Sequence, residues 1–144
     1  MIDNERTRDD VVARILSTYD TITVVGASRD PNKPAHYVPG HMAEHGWRIV
    51  PVNPYAQTIL GVPAFPTLAA VAEQVGLVDV FRPAAAAPEV VRQAVAAGAT
   101  ALWLQLHIVS AEARTIAESA GLLYVENRCL LVEQQRLRLS APAA

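Results

Sequence analysis

Residues 21–54 read TITVVGASRDPNKPAHYVPGHMAEHGWRIVPVNP, and this stretch decides the fold. A β-branched run at 21–25 stops at Gly26, a polar loop follows, and a helix is predicted from the end of that loop to about Gly46. A second apolar run at 48–54 predicts the next strand. A strand that stops at a glycine and passes into a helix is typical of a βαβ nucleotide-binding unit, where the helix N-terminus points unpaired N–H groups at an anion. The stretch therefore predicts an α/β fold that binds a nucleotide.

The first turn also indicates which nucleotide is bound. A dinucleotide site has the pattern Gly-x-Gly-x-x-Gly, whereas this chain has only Gly26 and the distant Gly40, with Arg29 and Lys33 in the loop. An NAD site also carries Asp or Glu at the tip of the second strand, where this chain has Asn53-Pro54. A neutral pair leaves room for a phosphorylated ribose, which a carboxylate would repel. These residues argue against NAD.

The rest of the chain alternates between strands and helices. Residues 55–66, broken by Pro63 and Pro66, are predicted to leave the sheet, and Pro39 is expected in the first turn of its helix. Strands separated by short helices imply a parallel sheet with right-handed crossovers. The predicted fold is a Rossmann-like three-layer α/β domain with about five parallel strands. Further strands are predicted at 78–83, 101–105 and 122–126, and further helices at 9–18, 68–75, 88–97 and 111–120, of which Thr67 and Ser110 cap two.

Composition limits the class of protein. At 144 residues the chain is predicted to be one domain, 1–144, with its core at about 11–139. It has 51% hydrophobic residues, as expected for a sheet covered on both faces. Its 12 basic and 14 acidic residues give no overall positive electrostatic field that would attract nucleic acid. No apolar run approaches the ~18 residues of a membrane span, so no membrane partner and a cytoplasmic location are expected. His41 and His45 lack a third ligand, so no metal site is predicted.

Three stretches carry a family resemblance: VVGASRDPNK at 24–33, GWRIVPVNP at 46–54 and LGVPAFPTL at 60–68. Together they resemble the small stand-alone CoA-binding proteins and the CoA-binding domain of ADP-forming acyl-CoA synthetases and, more distantly, of succinyl-CoA synthetase α subunits. The likeness runs from about Val11 to Leu139. The resemblance implies coenzyme A or an acyl-CoA as the ligand. Combined with position at the strand ends, it predicts a cofactor site made of Gly26, Ala27, Ser28, Arg29, Lys33, Pro34, Asn53, Pro54, Phe81, Arg82, Pro83 and Gln105.

Two further features bear on that site. Related sequences often have glycine where this chain has His107, so the imidazole lies where the pantetheine arm is expected. Residues 126–129, Glu-Asn-Arg-Cys, resemble the family's Met-Asp-Arg-Cys tail, but Asn127 removes a carboxylate that could orient Arg128. Cys129 is read either as a thiol that could exchange with CoA disulfide or, more simply, as a small buried apolar residue.

The leading interpretation is a CoA-binding module with no catalytic residues of its own. The alternatives are a small enzyme that uses NAD(P) or an acyl-CoA, and a regulatory or scaffold protein that responds to CoA. Against an enzyme, no nucleophile can be placed beside a base from chain position. The sequence leaves open whether the chain forms a homo-oligomer or has a protein partner.

Overall fold

A computed structural model describes residues 5–143 of the chain. Two single 3-10 turns lie at Leu68–Ala70 and Ala84–Ala86. The main elements in chain order are α1 (Glu5–Thr18), β1 (Thr21–Val25), α2 (Pro34–Glu44), β2 (Arg48–Val52), β3 (Thr58–Ile59), β4 (Val62–Pro63), β5 (Leu77–Val80), α3 (Ala87–Ala96), β6 (Ala101–Leu104), α4 (Ala111–Ser119), β7 (Leu123–Val125) and α5 (Leu130–Leu137).

Five of the strands form one parallel sheet in the spatial order β2-β1-β5-β6-β7. The chain runs outward from β1 to β2, then returns across β1 to β5 and continues outward in the other direction. The order therefore reverses between β1 and β5, where Val25 lies opposite Val80. Ligands of open parallel sheets bind at such a reversal, beside the carboxyl ends of the strands.

Helices cover both faces of the sheet. On one face α1, α2 and α5 bury Leu16, Met42 and Leu130 against the sheet. On the other, α3 and α4 bury Val91 and Ala113. The predicted Rossmann-like three-layer fold with a five-stranded parallel sheet is confirmed.

The segment after β2 leaves the main sheet, as its prolines predicted. Strands β3 and β4 pair only with each other, in an antiparallel hairpin of their own. The chain then touches the main sheet again through a single bridge between Val52 and Phe65. This return matters for the site, because Phe65 meets β2 at its carboxyl end.

The helix predicted at 68–75 is wrong. Thr67 does cap the start, with its hydroxyl accepting the N–H of Ala70 at 3.2 Å, but only the single turn Leu68–Ala70 forms. At Val71 the backbone is already extended, with ψ at 119°. A helix this short gains few hydrogen bonds for the residues it orders, so its length depends on packing. Here the helix ends early, and the extended chain that follows brings Val75 and Leu77 into the core.

Both ends of the chain differ from the sequence prediction as well. Helix α1 starts at Glu5, a turn before Asp9. Helix α5 was not predicted, and it begins directly after Cys129 at Leu130. Cys129 is partly buried at the N-cap position of α5. The two helices pack against each other, so the ends of the described chain are held together.

Candidate functional site

The carboxyl ends of β1, β2 and β5 are joined at Gly26. Its N–H donates to the carbonyl of Val52 at 3.1 Å, and the N–H of Phe81 donates to the carbonyl of Val25 at 2.9 Å. Gly26 has φ of +88°, and a Cβ there would lie 2.7 Å from the carbonyl oxygen of Phe81 and 3.3 Å from Cδ of Arg82. Only glycine fits so close to a neighbouring backbone. The structure thus brings the Gly26 turn and the Phe81–Pro83 segment together, as the sequence predicted.

The loop that follows is held by a contact that the sequence did not reveal. Pro39 was expected in the first turn of α2, but it is the sixth residue of a helix that begins at Pro34. Lacking an N–H, it leaves the carbonyl of Ala35 without its usual partner in the helix. That carbonyl accepts the N–H of Ser28 at 3.1 Å instead. The proline inside α2 therefore supplies the acceptor that positions the loop.

Ser28 and its neighbours complete the loop. The Ser28 hydroxyl accepts the N–H of Asp30 at 3.0 Å, and the carboxylate of Asp30 accepts the N–H of Asn32 at 3.0 Å. The ring Nδ1 of His36 lies 2.7 Å from the carbonyl oxygen of Ser28. These bonds hold the loop between β1 and α2 in one conformation.

Three cations surround this loop and have no acidic partner. Arg29, Lys33 and Arg82 are exposed, and none of their side chains has a hydrogen bond or ion pair among residues 5–143. Lys33 is also the N-cap of α2, and its side chain makes no capping bond. The positive end of the helix dipole adds to these charges. The result is a local concentration of unpaired positive charge in a chain of net charge −2.

Asn53 links three parts of this edge. Its side-chain N–H donates to the carbonyl of Ala27 at 2.8 Å, its side-chain oxygen accepts the N–H of Tyr55 at 2.7 Å, and its backbone N–H donates to the carbonyl of Phe65 at 2.9 Å. Asn53 thus braces the site, and direct contact with a ribose stays a prediction. Pro54 beside it is exposed.

Tyr55 lies beside Asn53 at this edge and was not singled out from the sequence. It is 86% exposed, yet the bond from its backbone to Asn53 fixes the turn that carries it. Its only sequence signal was its position after Asn53-Pro54.

Gln105 is committed to contacts inside the protein. It is buried, its amide donates to Oδ1 of Asp79 at 2.7 Å, and its side-chain oxygen lies 3.4 Å from the N–H of Leu130 at the start of α5. Asp79 was not singled out from the sequence. Burial raises its pKa to about 8, even though the bond from Gln105 acts in the opposite direction. The predicted contact between Gln105 and a pantetheine arm stays a prediction, and its amide would have to leave Asp79 to make it.

The ends of β6 and β7 meet through His107 and Asn127. The N–H of His107 donates to the side-chain oxygen of Asn127 at 2.8 Å, and both residues have left-handed backbones, with φ of +72° and +58°. Such a conformation favours glycine, so it accounts for the glycine expected at position 107 in related sequences. His107 itself is exposed.

Arg128 points away from the strand ends and ties the first helix to the last. Its guanidinium donates to Asp9 and to Glu133, both at 2.7 Å. The bond from Arg128 lowers the pKa of Asp9. The carboxylate that seemed lost at Asn127 is thus replaced by two others, one from Glu133 five residues on and one from Asp9 in the first helix.

The described cavities lie beside this edge. One of about 570 Å³ follows the outer side of β2 past Trp47, Ile49 and Phe65. Another of about 630 Å³ follows β7 and reaches the strand ends at Val109 and Asn127. Neither of these two cavities is lined by Gly26, Arg29 or Arg82.

Residues 5–143 contain neither a metal-ligating cluster nor a helix that could span a membrane. No three His, Cys, Asp or Glu side chains come together in a way that could hold a metal ion. None of the helices in this range has the length and apolar character needed to cross a bilayer.

Comparison with known proteins identifies the family. Residues 20–135 match the family described as CoA binding domain. The chain belongs to this family. The match covers β1 to β7 and most of α5, so it includes every strand end described above.

Relatives of this CoA binding domain chain are similar in length and shape. It is 31% identical over 121 residues to Bacillus subtilis (strain 168) "Uncharacterized protein YneT", covering 84% of this chain and 90% of that protein. A solved structure, "hypothetical protein from Pyrococcus horikoshii OT3", is 33% identical with a TM-score of 0.88, covering 96% of this chain and 100% of that one.

A larger protein shares part of the domain. The Archaeoglobus fulgidus "Acetate--CoA ligase [ADP-forming] II" is 31% identical over 75 residues, which cover 51% of this chain but only 11% of that ligase. This chain therefore corresponds to a small part of the ligase.

Proposed function

We propose that the chain binds coenzyme A or an acyl-CoA across the carboxyl edge of its sheet and carries out no chemistry on the ligand itself. The observation that carries the proposal is the group of three unpaired cations, Arg29, Lys33 and Arg82, around the Gly26 turn. A ligand with several phosphates gains from such a group, because charge-assisted hydrogen bonds are about twice as strong as neutral ones. Membership of the CoA binding domain family supports the same ligand.

The proposed contacts follow the order of the strands. The phosphates face the loop of β1 and the start of α2, and the adenosine faces the end of β2 around Asn53. The pantetheine arm then passes the ends of β5 and β6. The residues proposed to form this site are Gly26, Ala27, Ser28, Arg29, Lys33, Pro34, Asn53, Pro54, Phe81, Arg82, Pro83 and Gln105.

The proposal that the chain does not catalyse a reaction rests on the hydrogen bonds of the possible nucleophiles and bases. The Ser28 hydroxyl accepts a backbone N–H, and His36 is bonded to the backbone carbonyl of Ser28 rather than to that hydroxyl. Cys129, in the part of the chain that the structure describes, has no base hydrogen-bonded to it. A serine or cysteine nucleophile needs such a base or a lowered pKa.

Titration tests the ligand. In isothermal calorimetry with CoA, NAD, NADP and ATP, CoA is expected to bind most tightly, because it alone combines a phosphorylated ribose with an arm that follows the strand ends. Acetyl-CoA recovered after incubation should keep its thioester. Tighter binding of NAD, or repeated release of thiol from acetyl-CoA, would contradict the proposal.

Removing single cations tests the phosphate site. Arg29→Ala and Lys33→Ala are each expected to weaken CoA by about 1–3 kcal/mol, the value of a charged hydrogen bond, while thermal unfolding of the unliganded protein stays nearly unchanged. Arg14→Ala is the matched control, since Arg14 is an equally exposed cation on α1. If the affinities of Arg29→Ala and Arg14→Ala both equal that of the wild type, the loop does not bind phosphate.

A further inference from the structure

Two apolar side chains lie exposed in the loop at the end of β6. Leu106 and Val109, in the loop after β6, are 50% and 49% exposed. The loop between them is well fixed, because the N–H of His107 is bonded to Asn127 and the N–H of Ile108 donates to the carbonyl of Gln105 at 2.9 Å. Their exposure is therefore part of the folded structure.

The cavity beside β7 continues from this loop. It has a volume of about 630 Å³, opens at Val109 and Asn127, and runs along the outer edge of the sheet. Its apolar lining consists of Val11, Val109, Leu122, Leu123 and Val125. The charged residues along it are three acidic and three basic, so their charges balance and give no preference for an anionic group.

The distance from the cations matches the length of a pantetheine arm. Neighbouring strands lie about 4.8 Å apart, so the end of β6 is roughly 10 Å, and the end of β7 roughly 14 Å, from the end of β1, whose loop carries Arg29 and Lys33. An extended chain of amides and methylenes as long as four or five residues spans about 15 Å. A CoA whose phosphates lie at the Arg29 loop would thus present its sulfur near Leu106 and Val109.

From these observations we infer that the groove beside β7, which is the cavity entered at the loop that carries Leu106 and Val109, holds the acyl chain of an acyl-CoA with an apolar acyl group. The inference rests on the proposed CoA site and specifies its ligand: an acyl thioester rather than free CoA. An acyl chain bound there would cover apolar surface at this end of the sheet edge. The acidic and basic residues along the groove balance, so they do not oppose the binding of a neutral chain.

A chain-length series tests this ligand class. Calorimetry with CoA and with acetyl-, butyryl-, hexanoyl- and octanoyl-CoA is expected to show tighter binding as the chain grows, by about two- to fourfold for each methylene that is buried. Octanoyl-CoA should then bind at least about tenfold more tightly than acetyl-CoA.

Matched variants locate the acyl chain. Leu106→Asn and Val109→Asn should each reduce the advantage of octanoyl-CoA over acetyl-CoA by about three- to tenfold. Val132→Asn is the control, since Val132 is 52% exposed but lies on α5 rather than in the loop after β6.

The outcomes separate the two proposals. If CoA binds but chain length has no effect, the acyl groove is overturned and the CoA site stands. If Leu106→Asn and Val109→Asn keep the full advantage of octanoyl-CoA, as Val132→Asn should, the chain lies elsewhere and the groove is again overturned. If neither CoA nor any thioester binds, the proposed function fails and the acyl groove fails with it.

Discussion

Asp79→Asn is expected to gain several kcal/mol of stability relative to the wild type between pH 4 and pH 8. Asp79 is fully buried on β5, its Oδ1 accepts the amide of Gln105, and its Oδ2 has no partner among the described residues. Burial without a counter-charge makes the ionised form costly. The folded protein therefore holds this carboxyl protonated, with a pKa raised from 3.8 to about 8.

The direction of the pH effect follows from proton binding. Between pH 4 and pH 8 the unfolded chain has lost the proton of Asp79 and the folded chain has kept it. The free energy of unfolding therefore falls as pH rises through this range and levels off above about pH 8. Each step of one pH unit costs about 1.4 kcal/mol, so the whole loss is on the order of 5 kcal/mol. Asparagine has a similar shape and does not titrate, so the variant avoids this loss.

Urea unfolding at half-unit steps from pH 4 to pH 9 measures the effect. The informative quantity is the difference between wild type and variant at each pH, because it removes contributions that the two proteins share. Asp10→Asn is the control, because Asp10 is an exposed aspartate on α1. If the curves of Asp79→Asn and wild type run parallel, Asp79 is ionised in the folded state and its burial has been offset by groups other than Gln105.

The sheet could be predicted because its signals are local. Each of the five strands is a short apolar run, and glycines such as Gly26 and Gly98 mark where an element stops. The Gly26 turn, its cations and the Phe81–Pro83 segment follow from the same logic, since parallel strands bring their carboxyl ends to one edge. These parts of the site needed no knowledge of side-chain contacts.

The contacts that brace the site could not be predicted, because their partners are far apart in sequence. Gln105 looked like a ligand contact from its place at a strand end, but it is bonded to Asp79, 26 residues away. Asn53 is bonded to Ala27 at the same separation. Chain position indicates where a residue lies, whereas its partners depend on the packing of neighbouring strands.

Pro39 shows a different limit. Its effect on a helix depends on which turn it occupies, and helix starts can be placed only to within a few residues from sequence. Moving the start of α2 changes Pro39 from a neutral residue of the first turn into the source of a free carbonyl at Ala35. A small error in the predicted start of α2 thus concealed the hydrogen bond from the N–H of Ser28 to the carbonyl of Ala35.

Gly26→Ala is expected to destabilise the protein by about 3 kcal/mol and to weaken CoA binding as well. An alanine at φ of +88° costs about 1–2 kcal/mol by itself. Its Cβ would also lie 2.7 Å from the carbonyl oxygen of Phe81, so one of two strand ends must shift. Because the N–H of Gly26 is bonded to Val52, a shift of the turn also disturbs the end of β2. Urea unfolding measures the first effect and calorimetry with CoA the second.

Gly98→Ala separates the two causes of the loss. Gly98 has φ of +91°, nearly the same as Gly26, but a Cβ there would meet no atom within 4 Å. The control should therefore lose only the conformational cost of about 1–2 kcal/mol and keep its affinity for CoA. The difference between the two variants reports the close contact between β1 and β5 at the point where the strand order reverses. Equal losses in the two variants would mean that this contact relaxes at little cost, and that the reversal point is less rigid than the bonds around Gly26 indicate.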